Sequence, residues 1–185
     1  MRTKLLAETA AVVTLASTLL LTPSAAASTT SKSLRSELLS LSQMPVGWSA
    51  EAPSSGGGGS DAGSCLDDTS AMMPRHVTPT TAFVAFQYGG QLPLLAEVLV
   101  ERRDAAKAFP HAMAGCKTGQ MSFPSFGDQS AAYALSLTNF SGFALFERRG
   151  STIMLLFELG SPIFGGAPSV NQFEHFARMA AAKVH

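Results

Sequence analysis

The sequence predicts an α+β fold: a single domain built on one antiparallel β-sheet, with helices packed on it and one disulfide. Three observations carry this. Ala131–Thr138, Phe143–Arg149 and Ser151–Leu159 are apolar runs of strand length, separated by turn material at Asn139–Gly142 and Arg149-Gly150, as in an antiparallel meander. After Pro168 and Ser169, the residues Val170, Phe173, Phe176, Ala177, Ala180 and Val184 recur at mostly three- and four-residue spacing, which marks a helix with one apolar side. Finally, Cys65 and Cys116 are the only two cysteines among 185 residues, an even number in a chain whose start reads as an export signal.

That start has three parts. Arg2 and Lys4 form a short positive region, Thr9–Leu21 is an uncharged and mostly apolar stretch, and Pro23 precedes Ala25-Ala26-Ala27. Residues 1–27 therefore read as a cleavable signal peptide, cut between Ala27 and Ser28. Glu8 departs from the pattern. The alternative is a retained anchor, but the apolar run is shorter than the ~20 residues that a bilayer core requires. After cleavage the chain is expected to be secreted or extracytoplasmic, at the cell envelope or beyond it, and not membrane-spanning.

Of the 185 residues, 158 remain, enough for one domain with its own core. The signal removes Arg2, Lys4 and Glu8, so of 13 basic and 13 acidic residues 11 and 12 are left. No concentrated basic surface is available for phosphates, which argues against nucleic acid as a partner. With 46% hydrophobic and 14% charged residues, the chain favours a packed globule over disorder.

The elements follow in order. Residues 28–33 are a polar linker, and the domain is expected over 34–185. Leu34, Leu38 and Leu41 lie four and then three apart, an amphipathic helix over Leu34–Leu41 with Ser33 as its N-cap. Met44-Pro45 ends it, Pro45-x-Gly47 turns the chain, and Trp48–Glu51 is a short strand. Residues 53–64, rich in Gly and Ser, read as a flexible surface loop. Ala82–Tyr88 and Leu94–Glu101 are strands, with Val98 and Val100 on one face of the second and Glu97, Leu99 and Glu101 on the other. Asp104 caps a helix from Ala105 to about Cys116, where Pro110 predicts a kink or a fresh turn.

No enzymatic template is complete. No serine occupies a G-x-S-x-G elbow. The histidines show no metal-ligand spacing with the cysteines, so a Cys65–Cys116 disulfide is preferred over free thiols or a metal site; its closure would contribute about 4 kcal/mol on the chain-entropy model. Asp67-Asp68 has no calcium-loop spacing and reads as solvated loop. Glu97 and Glu101 share a strand face and read as the wet side of the sheet, with a cation or acid–base role as the alternative. In Gly127-Asp128-x-Ser130 the aspartate is expected to bond its own turn. Trp48 is expected to pack the first helix on the core, and Phe157, Phe164, Phe173 and Phe176 to fill the core or line an apolar cavity. Gly160–Pro168 puts apolar residues in a loop, making Ile163 and Phe164 the candidate lid or partner-binding edge. No catalytic residue, metal or cofactor is expected.

The order of several motifs resembles a known family. Leu38-Leu39-x-Leu41 leads to Met44-Pro45-x-Gly47-Trp48; a Gly/Ser-rich stretch ends in Cys65-Leu66; Leu94–Glu97 is followed by Ala108-Phe109 and Cys116; then come Phe126-Gly127-Asp128-x-Ser130 and Arg148-Arg149-Gly150. This is similar to the exported actinobacterial, chiefly mycobacterial, sensor domains like the extracellular part of the receptor kinase PknH. The likeness spans residues 34–184. It implies an antiparallel sheet with packed helices, a cleft for an unidentified ligand, and no catalysis. It departs in having one cysteine pair where the kinase members carry two. The expected function is a non-enzymatic binding or sensing domain that captures a small or lipid-like ligand; the alternative is an envelope protein–protein interaction module.

Overall fold

The computed structural model describes residues 34–51, 80–116, 119–136, 139–163 and 166–185. Seven strands lie within them: β1 (Trp48–Glu51), β2 (Thr81–Tyr88), β3 (Leu94–Glu101), β4 (Gln120–Met121), β5 (Gln129–Ser136), β6 (Ser141–Arg149) and β7 (Thr152–Gly160). They form one antiparallel sheet in the order β1-β2-β3-β7-β6-β5-β4. The predicted meander is β5-β6-β7, and its last strand pairs with β3 along its full length, Leu94 opposite Leu159 through Glu101 opposite Thr152. That pairing welds the N-terminal β1-β2-β3 unit to the meander.

Two helices cover the sheet from opposite sides. Helix α1 (Ala105–Gly115) carries the chain from β3 to the β4 edge across one face, where Ala105, Phe109, Ala112 and Cys116 pack on Tyr133, Leu135, Ala144, Phe146, Ile153 and Leu155. Helix α2 (Val170–Ala181) returns across the other. Its Phe173, Phe176, Ala177 and Ala180 pack on Leu95, Leu99, Leu145, Met154 and Leu156, together with the leucines of the N-terminal segment and Trp48. The central strands β3, β6 and β7 thus alternate between two cores, because neither of their faces is left to water. Ser169 caps α2, its side chain accepting from the Gln172 N–H at 3.2 Å.

Several expectations change. The N-terminal helix is a single turn over 34–37, followed by a 3₁₀ turn at Leu41–Gln43. The α-helix ends because the Leu39 N–H, which would bond back to residue 35, is donated instead to Glu97 Oε2 at 2.7 Å. Asp104 does precede α1 but makes no side-chain cap bond; its carboxylate is held by Arg102, with Nε–Oδ1 at 2.6 Å. Pro110 lies inside an unbroken α1, exposed at the helix surface. The short edge strand β4 is an element that the sequence pattern does not signal.

Trp48 meets the last helix, its ring edge-on to Phe176 at 5.3 Å between centroids. Asp128 bonds across the β6–β7 turn and not to its own: Oδ2 accepts from the Gly150 N–H and pairs with Arg148, both at 2.9 Å. The Gly/Ser-rich loop, Asp67-Asp68, the signal segment with Ala27 and Ser28, and Cys65 lie outside the described residues. Among those described, no helix is long and apolar enough to cross a membrane.

Candidate functional site

The face of the sheet under α2 is mostly apolar and carries three buried glutamates. Glu97 (β3), Glu158 (β7) and Glu147 (β6) are each fully buried, at 0% exposure. The register places two of them among hydrocarbon: Glu97 lies between Val84 and Leu156 and Glu158 between Leu95 and Phe143, while Glu147 lies between Met154 and Ser130. Glu97 is therefore not on a wet side, as its alternation with Val98 predicts; the N-terminal segment and α2 cover that face.

Each carboxyl has a different environment. Burial pushes the Glu158 carboxyl up to about 7 with no opposing charge, and neither of its oxygens has a hydrogen-bond partner among the described residues. Burial likewise raises Glu147 to about 7, against the pull of Arg149 and with a push from Asp128. The Arg149 guanidinium comes to 3.3 Å of Glu147 Oε1, within ion-pair reach but not aligned as a hydrogen bond. Glu97 also rises to about 7, chiefly by burial; the Leu39 N–H and the Lys183 ammonium oppose the rise and Glu147 adds to it. Lys183 itself is bonded to the Leu38 carbonyl and reaches Gln43 Oε1 at 3.3 Å. Desolvation is the common cause: an anion in this layer loses water that the protein does not replace.

Glu97 matters for what it holds. Its bond to Leu39 fixes the N-terminal segment along the first strands, and between the two runs an open groove of about 420 Å³ lined by Arg35, Leu38, Leu39, Thr81, Ala82, Phe83 and Val84. One wall carries Leu39, which Glu97 grips, and the other carries Val84, the register neighbour of Glu97. Arg35 is exposed at the groove. The volume lies within the range of small-molecule sites, and the lining combines apolar side chains with the polar Thr81 and the cationic Arg35.

Other sequence candidates lie elsewhere. Glu101, the partner of Glu97 in sequence, is half-buried at the end of β3, opposite Thr152. Cys116 is buried in the α1 core, while its expected partner Cys65 is not described. Ile163 is 68% exposed beyond the end of β7, away from the groove; Phe164 is outside the described residues. Ser130 Oγ accepts the Phe126 N–H at 3.0 Å, a structural bond. Phe173 stacks on Phe143 at 5.5 Å and Phe176 meets Trp48, so both fill core. Among the described residues no group of three or more His, Cys, Asp or Glu is placed to hold a metal ion. The chain matches no family model, no curated protein and no solved structure. The likeness to the sensor domains thus rests on the order of the sequence motifs.

Pattern alone does not single out the groove or Glu147. Glu158 does carry a readable signal: a charge at a period-2 position inside Leu155-Leu156-Phe157-Glu158-Leu159. A strand buried on both faces has no wet side for it to occupy.

Proposed function

We propose that the chain is an exported, non-enzymatic binding domain of the sensor type, closed by a Cys65–Cys116 disulfide. It captures a small or lipid-like ligand in the groove between the N-terminal segment and β2. The observation that carries this is the groove itself: leucine, alanine, phenylalanine and valine side chains beside Thr81, with Arg35 as the one cation of the lining. Hydrocarbon is matched by the walls, and a carboxylate or phosphate by the guanidinium. The ligand class is therefore an amphipathic anion. The motif order shared with the PknH-like sensor domains supports the same reading.

Native mass spectrometry of the processed chain, purified from its own exporting host, tests it. The expected result is a bound mass that denaturation releases and that Arg35→Glu abolishes, on a protein whose cysteines react with a thiol reagent only after reduction. An empty wild-type monomer would instead favour an envelope protein–protein interaction module.

A further inference from the structure

Charge is distributed unevenly along the strands. At one end of the sheet, the five strands β1, β2, β3, β7 and β6 meet the chain entering β1, the β2–β3 turn, the chain leaving β7 and the chain entering β6. The stretches 41–50, 88–96, 139–146 and 159–173, which supply that end, contain no Asp, Glu, Lys or Arg. The opposite end gathers Arg102, Arg103, Asp104, Asp128, Arg148 and Arg149, in three turns.

The charge-free end also exposes large apolar side chains. Val46 is 99% exposed, Ile163 68%, Tyr88 49% and Phe140 39%. These tips belong to β1, β7, β2 and β6, which with β3 are five consecutive strands of the sheet. At the usual spacing of ~4.8 Å between strands, the row is about 20 Å long. Tyr88 is held in place, its ring 6.0 Å from Trp48, and a Cβ at Gly47 would strike that ring at 2.5 Å. Val170 joins the row at 42% exposure, because α2 begins here: Pro168 abuts Gly160 at the end of β7. Scattered apolar residues need no explanation, whereas several gathered at one charge-free end of a sheet do.

We infer that this end is a membrane-docking edge, which inserts Val46, Ile163, Tyr88 and Phe140 into the interfacial layer of a neutral or zwitterionic bilayer. Separate turn tips reaching past one sheet edge form a set of projections, not a concave site for a folded partner. Aliphatic tips beside half-exposed aromatics match the boundary between headgroups and acyl chains, where Tyr is enriched and apolar side chains leave water. Charge at the tips would oppose insertion, and the four stretches that supply them contain none. The attraction is apolar, so it does not depend on anionic lipid or on low salt.

Co-sedimentation of the processed chain with phosphatidylcholine vesicles tests the inference. Wild type and Arg103→Glu, altered at the charged end, should bind equally at low and high salt. Val46→Asp and Ile163→Asp, both at exposed positions that leave the core intact, should each weaken binding at least ten-fold, with unchanged circular dichroism. The inference is overturned if wild type stays in the supernatant, or if the tip variants bind as well as wild type. It is also overturned if the tip variants alter only self-association, measured by sedimentation velocity without vesicles, for the row would then be a contact between protein copies.

Discussion

Glu158 shows most plainly how one residue sets a property of this protein. Its carboxyl is buried, unpaired among the described residues and pushed from 4.5 to about 7. Between those two values the folded chain keeps a proton that the unfolded chain releases. Stability is therefore full below about pH 4.5, declines as pH rises toward 7 and levels off above it. A tenfold change in proton affinity is worth about 1.4 kcal/mol, so Glu158→Gln should gain about 2–3 kcal/mol more relative to wild type at pH 8 than at pH 5. Urea unfolding at the two pH values measures this, and an equal difference at both would show that the carboxyl is solvated. Gly127 is a second residue-scale constraint. Its φ is +58°, and an added Cβ would come within 2.7 Å of Glu147 Oε1 and 2.6 Å of the Arg148 carbonyl. The sequence marks that glycine as a turn residue, but the carboxylate packed against it is 20 positions away and becomes visible only in the folded sheet.

At the scale of elements, the N-terminal segment is attached by few polar contacts, and the central one is Glu97 to the Leu39 N–H. Lys183, after α2, bonds the preceding carbonyl from the other side. Removing the acceptor should loosen this segment while β5, β6 and β7 stay paired, since local opening follows local contacts. In Glu97→Leu, hydrogen exchange of the Leu39 amide should accelerate at least ten-fold, with the β6–β7 amides unchanged; uniform acceleration would mean that Glu97 supports the whole fold. Legibility in the sequence also divides at this scale. The meander, the last helix with Ser169 at its cap, and β3 are readable because long apolar periodicity and turn residues coincide there. The first helix is not, since a partner 58 residues away takes the amide that would have continued it. Pro110 does not break α1, because the helix is held by Phe109 and Ala112 against the sheet, and packing overrides propensity. Two-residue β4 is too short to leave any period.

The whole molecule is a sheet clad on both faces, with polarity arranged from end to end and a groove on the flank of the α2 side. The fold class follows from strand count and turn spacing. The candidate site does not, because it is assembled from residues 35–39 and 81–84, brought together by a carboxylate on a third segment. What the sequence does show is that each segment carries apolar residues, with Arg35 and Glu37 as the two charges between them. The ligand proposed for this groove is an amphipathic anion. The most direct measurement is a ¹⁵N–¹H titration of the processed chain with dodecanoate. Saturable shifts are expected at the amides of Leu38, Leu39, Ala82, Phe83 and Val84, lost in Arg35→Glu. Saturation elsewhere on the molecule, or no shift at the groove while ligand binds, would contradict it.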